Sequence, residues 1–206
     1  MEDMDPSVPD PQPKPGRKRL IAAILIVVVV LASLGVIYDL HENALAPSNV
    51  IIGQKSVDSI LPGFSQWETG TLPTGSNVAS RYYTNGTPNI NPFGPSTVTN
   101  STLLVILIKN GSTSSAVSAF NYLKDHVSSV LNEQIGQGNV TSLSIPNFSG
   151  RYFAFYNVNT RSSAIVFQYY SYVCVMGGMI MPSSMAIKAA QAQIALIGSV
   201  MNSYAL

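Results

Sequence analysis

The chain has 206 residues, of which 46% are hydrophobic and only 10% charged, against about 25% charged in an average globular domain. That apolar share rules out disorder over most of the length, and a formal net charge of +1 excludes a nucleic-acid binder working through a broad basic field. Two histidines and one cysteine exclude a metal site of clustered His or Cys ligands and a disulfide within the chain.

The first 19 residues hold five prolines (Pro6, Pro9, Pro11, Pro13, Pro15) among charges, a composition that favours an extended, solvated tail. Such a tail serves either as a docking peptide for a cytoplasmic partner or only to set topology. Residues 20–38, Leu20 to Tyr38, carry no charge, and as a helix their 19 positions span about 28 Å, close to the hydrocarbon thickness of a bilayer. Arg17, Lys18 and Arg19 precede this run and Asp39 and Glu42 follow it. The positive-inside bias then places residues 1–19 in the cytoplasm and the chain beyond Asp39 outside the cell membrane. A cleaved signal peptide is the rival, with Ala44-Leu45-Ala46 as its site, and a pilin-like leader cut after Gly16 is a second. The acids ahead of the run, its length and Pro47 after the cleavage site favour an uncleaved signal anchor.

Beyond the anchor, Ser, Thr and Asn make up 50 of the 167 residues from position 40, with seven basic residues and five acids among them. A surface of uncharged polar groups responds little to protonation, because few paired carboxylates exist to lose. One explanation is an acidic exterior; a habit of Ser/Asn-rich surface proteins is the other. A single anchor bearing such a domain is similar in style to envelope proteins of archaea, by composition alone. Five N-x-[ST] sequons, at Asn85, Asn100, Asn110, Asn139 and Asn147, make the outer part a candidate glycoprotein.

The loose, proline-rich stretch 39–101 reads as an irregular lead-in with a short helix around Val50 to Leu61 and a strand from Val78 to Thr84. The core is expected over 102–206. Thr102 to Ile108 is a central strand, apolar on both faces, and a helix capped by Ser112 or Thr113 follows with Ala116, Phe120, Leu123, Val127 and Leu131 on one side. Strands are expected at Val140 to Ile145, Arg151 to Val158 and Ala164 to Met176, closed by Gly177-Gly178. A last helix, capped by Ser183 or Ser184, runs to Ser203. It is apolar almost all round, apart from Lys188, Gln191, Gln193 and Asn202, so core packing explains it better than a partner interface or lipid contact. The order β-α-β-β-β-α predicts an α+β domain with a largely antiparallel sheet and helices on one side.

No phosphate loop, nucleophile elbow, zinc-protease helix or calcium loop occurs. His126 beside Asp125 is a surface pair rather than half a triad, and Cys174 reads as an inert buried thiol. Asp58, Glu68 and His126 would make an enzyme only by converging in the fold, so the sequence points away from catalysis and implies no cofactor and no metal. The remaining signal is aromatic: Trp67, with Tyr152, Tyr156, Tyr170 and Tyr172 on a Tyr-rich strand face opposite Phe153 and Phe155, or the same tyrosines half-buried under helices. The expected role is a membrane-anchored accessory or structural subunit whose partners are the bilayer and a protein at the outer face. A solute- or polysaccharide-binding surface protein is the alternative, and nucleic acid is not a partner. An acid titration followed by circular dichroism is expected to show retained structure below pH 4; unfolding near pH ~4, where carboxylates protonate, would contradict the acidic-exterior reading.

Overall fold

A computed structural model of the chain describes residues 45–67, 74–86, 100–135 and 139–203, with side chains of 127–135 outside that description. The expected cytoplasmic tail (1–19), the expected membrane helix (20–38) and Glu68 lie outside the described residues. Among the described residues no helix is long and apolar enough to cross a membrane.

The chain forms α1 (Pro47–Val50), α2 (Gln54–Ile60), β1 (Ser65–Trp67), β2 (Val78–Thr84), β3 (Thr102–Lys109) and α3 (Thr113–Ile135). It continues through β4 (Val140–Ser142), β5 (Arg151–Asn157), β6 (Ser162–Tyr169), β7 (Tyr172–Met179) and α4 (Ser183–Ser203). The strands make one sheet in the order β1-β2-β3-β7-β6-β5-β4, with every neighbouring pair antiparallel. The α+β class and the antiparallel sheet agree with the sequence.

The run Thr102 to Ile108 is buried along its whole length, and its alternation sorts it between two clusters. Leu103, Val105 and Leu107 face α4, whose Ala186, Ala189, Ala190 and Ile197 lie in the same cluster as Val50, Val57 and Leu61 from the α1–α2 segment. Leu104, Ile106 and Ile108 join Ala116, Phe120 and Leu123 of α3. Helices therefore cover both faces, and the expectation of helices on one side is corrected. A strand apolar on both faces needs apolar cover above and below, since each Leu or Ile withdrawn from water contributes about 1.5–3 kcal/mol.

A second correction concerns Ala164 to Met176, which is not one strand but the hairpin β6–β7 with Tyr169 paired to Tyr172. Tyr170, first of its two turn residues, has φ 51°, the sign that a primed hairpin turn requires. Neither turn residue is Gly, Asn or Asp, so the usual signal was absent. Gly177 and Gly178 do not close the last strand but lie inside β7, opposite Leu104 and Leu103 on one side and Ala164 and Ser163 on the other. A Cβ on Gly178 would overlap the side chains of Met181 and Ser163, so only glycine lets Met181 fold back over the sheet. Ile180, with φ 54°, turns the chain for that return, and Ser101 Oγ donates to its carbonyl at 2.7 Å.

Smaller differences have local causes. Ser112 caps α3, its Oγ accepting from Ser115 N at 3.1 Å. In α4 the capping carbonyl is that of Pro182, which accepts from Met185 N and Ala186 N, so neither Ser183 nor Ser184 serves as the cap. The helix expected from Val50 to Leu61 is broken at Ile51, whose ψ of 137° is extended, giving α1 and α2. The strand expected to reach Ile145 ends at Ser142, and β5 ends at Asn157.

The stretch 45–64, expected as an irregular lead-in, packs into the main core. Gln193, in the middle of α4 and 0% exposed, holds it at two points: Nε2 donates to Val50 O at 2.8 Å and Oε1 accepts from Ile52 N at 2.8 Å. Arg81 donates to the carbonyls of Ile51, Ile52 and Ser48, and Tyr83 Oη donates to Ile52 O at 2.5 Å. Gln193→Leu would strand two buried backbone groups and is expected to cost about 2–4 kcal/mol, read as a lower urea midpoint with unchanged far-UV circular dichroism. A midpoint equal to that of the unsubstituted chain would show that the amide does not hold the segment.

Candidate functional site

Cross-strand pairing decides which aromatics meet. On the α4 face the tyrosines are covered. Tyr172 is fully buried, with Oη donating to Leu45 O at 2.8 Å, and Tyr152 packs half-buried against the core under α4. Tyr156 Oη donates to Met181 O at 3.4 Å. Tyr170 packs against Tyr169 with ring centroids 4.5 Å apart and the rings tilted by 52°, and Phe148 lies against Tyr169, Tyr152 and Phe167 at 5.4, 6.0 and 5.7 Å. The five aromatic candidates are therefore not gathered on one open face. Tyr152, Tyr156 and Tyr172 are occupied within the fold, Tyr170 sits at a hairpin tip, and Trp67 lies on the edge strand β1.

Trp67 marks a different place. It pairs directly with Tyr82, which pairs with Leu104; Leu104 pairs with Gly177, and Gly177 with Ala164. Direct partners share a face, so these residues form one row on the α3 side of the sheet. Helix α3 packs on β5, β6 and β7, beyond the β1–β2 end of the row. Trp67 is 37% exposed, Tyr82 is half-buried, and among the described residues nothing lies within 4 Å of the position a Cβ on Gly177 would take. The row thus makes an aromatic shelf, rising at Trp67–Tyr82 and falling to the small residues Gly177 and Ala164. Alternation in β2 already separates Tyr82 from Tyr83; the join to Trp67 and Gly177 arises only from strand order.

The titratable groups do not assemble. Asp58 on α2 accepts from Gln54 Nε2 at 2.6 Å, on the α4 side of the sheet. His126 on α3, on the opposite side, stacks on Tyr122 with centroids 4.1 Å apart. Burial pushes the Cys174 thiol well up, which suppresses its thiolate and leaves it a packing group. Burial also raises Tyr82, against the opposing effect of the Thr102 hydroxyl, and raises Tyr83, against Arg81. Among the described residues no group of three or more His, Cys, Asp or Glu side chains could hold a metal ion.

The sequon asparagines fall in turns or near element ends. Asn85, Asn100 and Asn139 lie where β2 ends and β3 and β4 begin; Asn110 and Asn147 lie at the opposite end of the sheet. Asn85, Asn139 and Asn147 are exposed, whereas Asn110 Nδ2 donates to Ser171 O at 3.3 Å. No protein-family model matches this chain, and no curated protein matches it.

Burial pushes the Tyr172 hydroxyl from its ordinary 10.0 up to about 12. The folded chain holds this proton more tightly than the unfolded chain, so the stabilisation is complete below pH 10 and is lost as pH rises through about 12. Tyr172→Phe removes the bond to Leu45 and is expected to cost about 1 kcal/mol at neutral pH. Denaturant midpoints measured against pH should fall less steeply for this variant in that alkaline window. An unchanged slope would mean that Tyr172 is not the group lost there.

Proposed function

We propose that the chain is a single-pass protein of the cell membrane, N-terminus inside, whose extracytoplasmic domain is an accessory or structural subunit that docks a protein partner through the Trp67–Tyr82 shelf. The observation that carries this reading is the direct pairing of an exposed Trp with a half-buried Tyr at the open edge of the sheet. Trp and Tyr supply rigid apolar area with a polar tip, and they dominate interface energetics when a partner desolvates them. Strand β1 is only three residues long, each of them exposed in part, which suits side-chain anchoring better than addition of a partner strand. The anchor at residues 20–38 and glycans on the exposed Asn85 and Asn139, at the far end of the sheet, complete the proposal.

The space over Gly177 favours a second reading, in which a solute or sugar ring lies on the shelf against Tyr82. Catalysis has less support, because Asp58 and His126 lie on opposite sides of the sheet.

Purification of the full-length chain in mild detergent, with cross-linking mass spectrometry, tests the first reading. A stoichiometric partner cross-linked beside Trp67 is expected, and Trp67→Ala should abolish its recovery while changing stability by no more than about 0.5 kcal/mol, as exposed positions do. A partner retained by the variant would move the interface elsewhere. Quenching of Trp67 fluorescence by oligosaccharides, with no protein recovered, would favour the second reading.

A further inference from the structure

The chain enters the domain at one particular end. Leu45 is held by Tyr172 Oη where β3 finishes and β7 begins, on the α4 side of the sheet. Only residues 39–44 separate Leu45 from the end of the apolar run at Tyr38. Six residues reach at most about 20 Å, and the headgroup layer beyond the hydrocarbon is itself about 6 Å deep. Under the anchored reading, on which this inference rests, the Leu45 end of the domain is therefore presented to the bilayer at high effective concentration.

That end has a composition of its own. Half-buried Phe148, Tyr152, Tyr169 and Tyr170 cluster there by ring contact, on the same side of the sheet as Leu45. Lys109 ends β3 and exposed Arg151 begins β5. Among the described strand ends and turns that meet there (74–78, 109–112, 143–151 and 169–172), Lys109 and Arg151 are the charged side chains and no carboxylate occurs. The corresponding turns at the far end hold Arg161, and neither Phe nor Tyr occurs in 84–86, 100–102, 157–162 or 179–183. Aromatic rings with polar tips settle at headgroup depth, and basic side chains beside them pair with anionic phosphates.

We propose that this end, built from Phe148, Tyr169, Tyr170, Lys109 and Arg151, rests on anionic lipid headgroups and fixes how the domain stands on the membrane. The contact leaves the Trp67–Tyr82 row, on the other side of the sheet, free for a partner. It also gives Tyr170, otherwise held in a backbone conformation unusual for its residue type, a reason to occupy the hairpin tip.

The test uses the full-length chain in dilute vesicles of phosphatidylglycerol or phosphatidylcholine, spin-labelled at Ser171→Cys at the near end or Asn159→Cys at the far end. Cys174 is buried and should take up no label in the unsubstituted chain. In phosphatidylglycerol the label at 171 is expected to be shielded from a water-soluble nickel chelate, and the label at 159 fully accessible. Lys109→Gln with Arg151→Gln should lower the docked-to-undocked ratio about twenty-five-fold, a factor of about five for each basic group near an anionic surface. Equal accessibility of the two labels in a chain that resists alkaline carbonate overturns the inference and leaves the anchor standing. Release of the chain by carbonate overturns both. Shielding that is the same in phosphatidylcholine and indifferent to the double substitution overturns the anionic contact, and shielding lost on further dilution assigns it to a second copy.

Discussion

A single buried amide joins the two parts of the molecule that are furthest apart in sequence. Gln193 presents its carbonyl and its NH2 to Ile52 N and Val50 O, completing for an irregular segment the pairing that a neighbouring strand would otherwise provide. Without it the backbone at 50–52 could not enter an apolar core, because each unpaired group would keep its full desolvation penalty. Arg81, Tyr83 and Tyr172 extend the same logic along the segment, offering side-chain donors to carbonyls that no helix or strand satisfies. The segment can then contribute Val50, Ile51, Ile52 and Val57 to the core and seal one face of the sheet.

That seal makes the two faces unequal. On one face α4, α1 and α2 together cover the sheet, and Tyr83, Tyr156 and Tyr172 there turn their hydroxyls to backbone carbonyls. On the other face α3 lies over β5–β7, and the β1–β2 side carries the exposed Trp67. The asymmetry follows from chain geometry. Helix α3 leaves β3 and returns to β4 at the opposite edge, so it must cross β7, β6 and β5; among the described residues no helix on that side is dedicated to β1 and β2. Function, if carried by surface side chains, has most room where cover is incomplete.

Scarcity of charge shapes what such a surface can do. With few ionisable groups, and none clustered among the described residues, recognition would rest on apolar area, tyrosine and tryptophan tips and backbone groups. Electrostatics enters at the Leu45 end, where Lys109 and Arg151 stand without a nearby carboxylate in sequence. A domain of this kind is tuned for contact at fixed geometry more than for long-range steering, since a net charge near zero produces little field.

The sequence by itself determined the elements with strong periodicity. β2 lies where alternation bounded by Asn85-Gly86 put it, β3 is the buried strand that its unbroken apolar run demanded, and α3 and α4 follow their stripes and serine or proline boundaries. Their local signals were strong because each residue's environment repeats with the period of its own element. The β6–β7 turn was illegible because Tyr170 adopts positive φ without a glycine, a cost met by ring packing and by pairing on both sides. Gly177-Gly178 read as a terminator because propensity is local, whereas neighbours on two sides hold these glycines in a central strand. The shelf lay deeper still. Trp67, Tyr82 and Gly177 are separated by up to 110 residues and become neighbours only through the strand order β1-β2-β3-β7. Gln193 looked like a polar blemish on an apolar helix until Ile52 and Val50 were placed opposite it. Composition and period decide what a segment becomes; only tertiary structure decides which segments meet, because pairing partners are chosen by the whole sheet and not by the residues next to them.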